Sequence, residues 1–599
     1  MREFSLPALY EVPADGNLTD LIRRNAAQHP DVAVIARKDP RDGTHWQDLT
    51  AAEFLSEVQA VAKGLIAAGI QPGDRIGLMS RTRYEWTLLD FAVWSAGGVT
   101  VPVYETSSPE QIAWILGDSG VVGAFVETEE HADALRSVRD RLPDLKDIWT
   151  IEDDAVAGLS AAGAEITDAA LDERGSLANA DSPATIVYTS GTTGRPKGCV
   201  LSHRSFFAVC GNVVERLKPV FRTGESSVLL FLPIAHVFGR FVQNAAVMAP
   251  IRLGLVGDIQ NLTDDLASFR PSLILGVPRV FEKVFNSARA KAQADGKGKI
   301  FDKAADTAIA YSRSLDTGSG PSLGLRLKHK LFDKLVYGKL RAVLGGRTTH
   351  AISGGAPLGE RLGHFYRGIG FTVLEGYGLT ETCAPTAFNP WDRQKIGTVG
   401  QPLPGSVLRI ADDGEVLVHG DHLFTGYWNN EAATKEAIVD GWFHTGDIGT
   451  LDEDGYLAIT GRKKEILVTA GGKNVAPAVI EDRIRGHALI AECMVVGDGR
   501  PFVGALITLD EEFLPRWAEE HGKSGLSRAD LLADADLLAA VQRAVDDGNA
   551  AVSRAESVRK FQVLPTQFTE ESGHITPSLK LKRNVVAKDF APEIESLYA

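Results

Sequence analysis

The sequence predicts an α/β fold with mostly parallel sheets, followed by a small β-rich stretch and an α+β C-terminal part. Three observations carry this. Between residues 50 and 200, and again at 228–278 and 349–378, short apolar strands alternate with helical patterns, as expected when helices cover the faces of a parallel sheet. Near 400–460 the segments become short, strand-like and punctuated by Gly and Asp. Beyond Arg462 the pattern mixes helices and strands to the C-terminus.

Taken in order, Arg75-Ile76-Gly77-Leu78-Met79-Ser80 reads as a strand, Tyr84 to Ser95 as a helix, and Val99-Thr100-Val101-Pro102-Val103-Tyr104 as the next strand. Ala184-Thr185-Ile186-Val187-Tyr188 is β-prone and apolar enough for a buried strand. Gly414-Glu415-Val416-Leu417-Val418 and Gly455-Tyr456-Leu457-Ala458-Ile459 typify the β-rich stretch. Arg462-Lys463-Lys464-Glu465 joins two apolar strands, as a domain linker or as a charged hairpin turn. The expected division is 1–460, with about 400–460 as its β-rich subdomain, then 461–465, then 466–599.

Residues 290–345 read as helical and polar. Arg326 to Leu344 carries Lys or Arg at 326, 328, 330, 334, 339 and 341 against one acid, Asp333. Leu327, Leu331 and Leu335 recur at i, i+4, i+8 and form one apolar stripe. Such a stripe is expected to pack on its own domain; the sharper alternative is contact with an anionic membrane surface.

With 599 residues and 44% apolar content, the chain can build several large cores. No apolar run approaches the ~20 residues that span a bilayer, and Met1 to Tyr10 lacks the apolar centre of a secretory signal. A cytoplasmic protein is the expectation, with peripheral contact at the inner membrane face as its variant. Cys199, Cys210, Cys383 and Cys493 show no paired spacing, which argues against a zinc site or a disulfide framework. The net charge of −15 argues against nucleic-acid binding. An anionic substrate must therefore be met by local cations, such as Arg462-Lys463-Lys464 and Lys580, Lys582 and Arg583.

The densest chemistry lies at Thr189-Ser190-Gly191-Thr192-Thr193-Gly194-Arg195-Pro196-Lys197-Gly198, directly after the strand ending at Tyr188. Glycines let backbone N–H groups approach an anion, hydroxyls donate hydrogen bonds, and cations offset phosphate charge. The mixture reads as a phosphate cradle, with a flexible surface loop as the alternative, and Gly198 after Lys197 rules out the Walker A pattern. Further on, Ile352-Ser353-Gly354-Gly355-Ala356-Pro357 gives a flat backbone surface for a ring. Glu375-Gly376-Tyr377-Gly378-Leu379-Thr380-Glu381-Thr382 places an aromatic between two glycines, a hydroxyl suited to phosphate, and a carboxylate suited to Mg²⁺. His444-Thr445-Gly446-Asp447 offers a carboxylate able to accept from two ribose hydroxyls. His236 ends an apolar strand, and Thr576-Pro577-Ser578-Leu579-Lys580-Leu581-Lys582-Arg583 is a basic string near the C-terminus.

The loop at 189–198 resembles the phosphate loop of the adenylate-forming superfamily, and Tyr377 to Thr382 is similar to that family's second core motif. Arg83-Tyr84-Glu85-Trp86, Val101 to Ser108 and Gly276 to Val284 resemble bacterial long-chain fatty-acid–CoA ligases, and the similarity runs from about residue 20 to 590. The resemblance implies a large N-terminal domain of stacked mixed sheets with helices and a small mobile α+β C-terminal domain.

It also implies roles. Thr189, Ser190, Gly191, Thr192, Thr193, Gly194, Lys197, Gly354, Gly355, Glu375, Gly376, Tyr377, Gly378, Thr380, Asp447 and Arg462 would bind ATP or AMP. Tyr377 would stack on adenine, Asp447 would hold the ribose, and Thr189 with Glu381 would hold Mg²⁺. Lys580, His236 and Arg462 would be catalytic. Leu579 stands where the family's usual string has Gly, and Lys582 is a second candidate by register. Lys464 would be the hinge, where many relatives have Asp, and Gly471, Gly472 and Lys473 would line the CoA tunnel. Arg240 lies where some relatives carry an aromatic gate to the fatty-acid tunnel.

The implied activity is activation of a long-chain fatty acid with ATP and Mg²⁺ to acyl-AMP, followed by transfer to CoA. A fatty-acyl-AMP ligase feeding a carrier protein and a non-catalytic lipid-binding protein are the alternatives. The oligomeric state is unread.

Overall fold

The computed structural model describes residues 1–39, 43–189, 195–258, 261–576 and 580–599. Among these, two large sheets form the N-terminal part. One orders Gly426–Tyr427, Lys197–Ser202, Pro183–Thr189, Val99–Val103, Arg75–Met79, Val121–Val126 and Asp147–Thr150. Its interior pairs are parallel, and the hairpin Pro183–Thr189 with Lys197–Ser202 is antiparallel. The other sheet has a parallel centre of Thr372–Leu379, His350–Ser353, Leu273–Gly276, Ser227–Leu230, Arg252–Leu255 and Ala33–Lys38, with antiparallel strands at both edges. The α/β alternation read from the sequence is thus present, and the strand at 75–80 and the helix Tyr84–Ser95 fall where predicted.

The helix His203–Arg216 touches Lys197–Ser202 of one sheet and Ala384–Phe388 of the other, and Val237–Met248 packs on it and on Ser227–Leu230, Arg252–Leu255 and Ala384–Phe388. Burial on all sides explains why Tyr84–Ser95 shows no apolar stripe: of its residues only Glu85 escapes burial. This layer also encloses charge. Arg240 is fully buried and donates from Nε to Asp90 at 3.1 Å and from Nη1 to the Thr185 hydroxyl at 2.6 Å, with a second bond to Asp90 from Nη2. The Trp86 and Trp94 rings lie 5.1 and 5.4 Å from its guanidinium carbon. Arg240 is therefore half of a structural ion pair within the core.

The β-rich stretch is an antiparallel sheet in which Ser406–Ile410, Glu415–Gly420, Trp442–Leu451 and Leu457–Arg462 follow one another. Beyond it, Ile490–Val496, Val503–Leu509 and Val558–Val563 form a separate sheet. The apolar clusters divide between Leu457 and Val475: those on either side share no member among the described residues. No helix among the described residues is long and apolar enough to cross a membrane.

The helical region holds Pro278–Ala294, Gly298–Leu315 and Leu323–Phe332, the last continuing through a π-helical turn, Asp333–Tyr337, into Gly338–Val343. Here the expectation of packing fails: Leu327, Leu331 and Leu335 are 70%, 56% and 51% exposed.

Candidate active site

One cavity of about 930 Å³ collects most of the predicted site residues from distant stretches of chain. Thr189, the last residue of its strand, and Lys197, the first of the next, lie opposite each other across the hairpin and both line the cavity. Ser190, Gly191, Thr192, Thr193 and Gly194, which connect them, lie outside the described residues, as do 577–579. Gly354 and Gly355 form a second wall, with Gly355 at φ +86°, where a side chain would be strained.

Gly376, Tyr377, Gly378, Thr380 and Glu381 form a third wall. The glycine after the tyrosine has a reason the sequence did not reveal: a Cβ on Gly378 would stand 1.7 Å from the Ala384 carbonyl oxygen of the neighbouring strand. Glu381 accepts from the Tyr427 hydroxyl at 2.8 Å, and the Lys197 ammonium sits over the Tyr427 ring at 5.0 Å.

Glu375 does not reach this wall. It is buried and accepts from the Leu358 backbone N–H at 3.0 Å, and burial pushes its carboxyl up to about 7. Asp447 also lies behind the surface. Arg462 donates to it from Nε at 2.8 Å and Tyr377 from its hydroxyl at 2.6 Å, while its neighbours Thr445 and Gly446 line the cavity. Asp447 and Arg462 are paired across adjacent antiparallel strands, which fixes the contact.

His236 caps the helix Val237–Met248 by accepting from the Phe238 N–H on Nδ1 at 3.1 Å, so its proton is assigned to Nε2. Burial, with a smaller contribution from Lys580, lowers its pKa to about 3. The imidazole on the cavity wall is therefore neutral.

Lys580 enters from the C-terminal part. Its carbonyl accepts from the Thr576 N–H at 2.8 Å, and its own N–H donates to the Thr576 hydroxyl at 3.0 Å. The side chain stands open to the cavity, but protein encloses that cavity. This enclosure first, and the Arg462 charge second, lower its pKa, while Asp447, Glu381 and Glu465 oppose the shift.

Arg462, Lys463 and Lys464 complete the rim. Lys463 pairs backward with Asp413 at 2.6 Å and Glu415 at 3.2 Å, whereas Glu465 pairs forward with Arg583 at 3.4 Å. Gly471, Gly472 and Lys473 do not reach the cavity. They form an exposed turn, with Gly472 at φ +75° and Lys473 paired to Glu556 at 3.5 Å.

Residues 22–428 match the AMP-binding enzyme family, and residues 464–599 match the AMP-binding enzyme C-terminal domain. The chain belongs to the AMP-binding enzyme family. Among curated AMP-binding enzymes it is 50% identical to long-chain-fatty-acid--CoA ligase FadD15 of Mycobacterium bovis, over the full length of both chains, and equally identical to FadD15 of Mycobacterium tuberculosis. Its fold is similar to that of the o-succinylbenzoate coenzyme A synthetase MenE of Bacillus subtilis, in a structure with ATP and a magnesium ion. That likeness has a TM-score of 0.67 at 20% identity and covers 94% of this chain and 98% of the other.

Two residues of this AMP-binding enzyme escaped the sequence reading. Tyr427 holds Glu381 from a short edge strand, and the aromatic pair Tyr427-Trp428 after Gly426 was its only signal. Glu415 accepts from the Gly446 N–H at 2.8 Å and faces His444 Nδ1 at 3.3 Å, a cross-strand relation that sequence spacing does not show.

Proposed function

We propose that the chain activates a long-chain fatty acid with ATP and transfers the acyl group to CoA, releasing AMP and pyrophosphate. The observation that supports this best is the convergence of Lys580, His236, Thr380, Glu381 and Arg462 on one cavity that also has apolar walls at Val213, Leu217, Phe241 and Phe388. About 930 Å³ is at the upper end of ligand pockets, with room for a nucleotide beside an acyl chain.

In the first step a carboxylate oxygen of the acid bonds to the α-phosphorus, and the bond to the leaving pyrophosphate breaks. The Lys580 ammonium offsets the charge gathering on the α-phosphate and incoming carboxylate, and Lys197 meets the outgoing phosphates. His236 donates from Nε2 toward the acid; its Nδ1 is committed to the helix cap, so it does not act as a base there. Tyr377 packs against the adenine. The ribose hydroxyls take over oxygens of Asp447 that Tyr377 and Arg462 now occupy.

The donor set fits Mg²⁺. Among the described residues there is no cluster of three potential ligands, and Glu381 keeps one oxygen without a hydrogen bond. One carboxylate, the Thr189 hydroxyl and substrate phosphates are the set that this ion takes. Bound there, it would neutralise phosphate charge.

In the second step the CoA sulfur bonds to the acyl carbon and AMP leaves. The C-terminal part, residues 466–599, turns about Lys464 so that Lys580 withdraws and Gly471, Gly472 and Lys473 come to the cavity. The opposed ion pairs of Lys463 and Glu465 support a pivot between them.

AMP release is measured with ATP and Mg²⁺ over acids of increasing chain length, with and without CoA. CoA-dependent release greatest with long acids is expected. Acyl-AMP that accumulates regardless of CoA would instead mean a carrier-protein acceptor, and no release with any acid would overturn the reading.

A further inference from the structure

The helical region outside the cavity carries a surface that catalysis does not use. On the helix Leu323–Phe332 and the π-turn that extends it, Leu323, Leu327, Leu331 and Leu335 follow at intervals of four and are 79%, 70%, 56% and 51% exposed. Four large apolar side chains in one open row are a feature that soluble surfaces seldom keep without a partner. A second row runs beside them: Arg326, Lys330 and Lys334, also four apart, each one residue before a leucine and each exposed. The only acid of the segment, Asp333, is taken by Arg341 at 2.8 Å.

The opposite face fixes the helix to the body, so the leucine row is not a loosely packed core that closes on itself. His329 bonds through Nε2 to the Gly368 carbonyl at 2.6 Å and stacks on Tyr311 at 3.9 Å. Tyr337 is buried and donates to the Ala304 carbonyl at 2.7 Å, and Arg341 donates to the Ile369 carbonyl at 2.6 Å.

We infer that this face docks on an anionic lipid bilayer. A helix lying in the interface buries its apolar row among acyl chains, while long cationic side chains reach along it to anionic headgroups. Charge selects this occupant. A second copy of the chain meeting it symmetrically would set one cation row against the other, and a nucleic acid would leave the leucines in water. A net charge of −15 repels the rest of the protein from an anionic surface, so these cations orient the molecule as well as hold it.

The full chain is sedimented with vesicles of phosphatidylcholine, alone or mixed with phosphatidylglycerol, at low and at high salt. Wild type is expected to pellet with the mixed vesicles and to be released by salt. Arg326→Gln, Lys330→Gln and Lys334→Gln together remove three surface cations at about fivefold each, so binding falls about a hundredfold. Leu327→Ser with Leu331→Ser should lower it at least about tenfold. All these side chains are exposed, and melting curves that match wild type establish that the variants fold. The readout needs no catalysis, so it stands or falls separately from the proposed reaction. Wild type left in the supernatant, or variants that bind as well as wild type, would overturn the inference. So would a wild-type dimer in sedimentation velocity that the leucine variant dissociates without loss of vesicle binding.

Discussion

Glu375→Gln should stabilise the protein above neutral pH. In the folded chain burial lifts this carboxyl from 4.5 to about 7, and its role is to accept from the Leu358 N–H. The raised pKa means that the folded state binds the proton more tightly than the unfolded one. The stabilisation from the neutral acid is fully present below pH 4.5 and is lost as pH rises to 7 and beyond. At about 1.4 kcal/mol per pH unit, wild type loses about 2 to 3 kcal/mol between pH 5 and 8 through this one group. Glutamine keeps a carbonyl oxygen for Leu358 and never ionises, so the variant's advantage should grow by that amount over the interval. For an unfolding unit of about 460 residues this is about 3 °C in Tm. Thermal melts at both pH values, followed by tryptophan fluorescence, report it, since Trp86 and Trp94 are buried in the same part. AMP release at pH 7 should change little, because Glu375 does not line the cavity. A Tm difference that is the same at pH 5 and pH 8, or a variant less stable at pH 8, would refute the reasoning.

Lys580→Ala should slow acyl-AMP formation at least about a hundredfold and leave CoA transfer from supplied acyl-AMP nearly intact; the two half-reactions assayed separately decide it. Because the folded environment lowers the Lys580 pKa, adenylation should decline toward alkaline pH earlier than an ordinary lysine would allow, and Lys580→Arg should remove that limb from the rate profile. Tyr427→Phe deletes the hydroxyl that holds Glu381 and should raise the Mg²⁺ concentration needed for half-maximal rate about fivefold, with the saturated rate unchanged. Arg240→Leu strands Asp90 in the core and should cost about 3–5 kcal/mol, most of it regained with Asp90→Asn; a gating role would instead alter chain-length preference at constant stability.

The α/β alternation was legible because parallel strands covered on both faces are short apolar runs separated by helices. The cavity's walls were legible where the chemistry is local, as at Thr189, Lys197 and the run from Gly376 to Glu381. What failed was the direction of single side chains. Successive residues of a strand face opposite sides, so Leu374 and Gly376 line the cavity while Glu375 turns away. From Gly376 to Glu381 every residue then lines it, across a register shift between Tyr377 and Gly378, and no spacing rule announces this. On the helix after His236, Val237, Phe238 and Phe241 meet the cavity and Arg240 falls on the other face. The leucine row was readable as a stripe, but periodicity gives a direction and not what covers it. Tyr427 and Glu415 act through contacts across strands far apart in sequence.

The pairing of Asp447 with Arg462 has a mechanical consequence. Both sit on the last paired rung of two antiparallel strands, and Lys464 follows Arg462 by two residues, inside the single 3-10 turn Lys463–Glu465. Under the proposed reaction, a ribose that claims the Asp447 oxygens would loosen the rung nearest Lys464, and its departure would let that rung close again. The nucleotide of the proposed reaction would then work as a wedge at the root of the C-terminal part, so that filling and emptying the pocket would set the stiffness of the proposed joint.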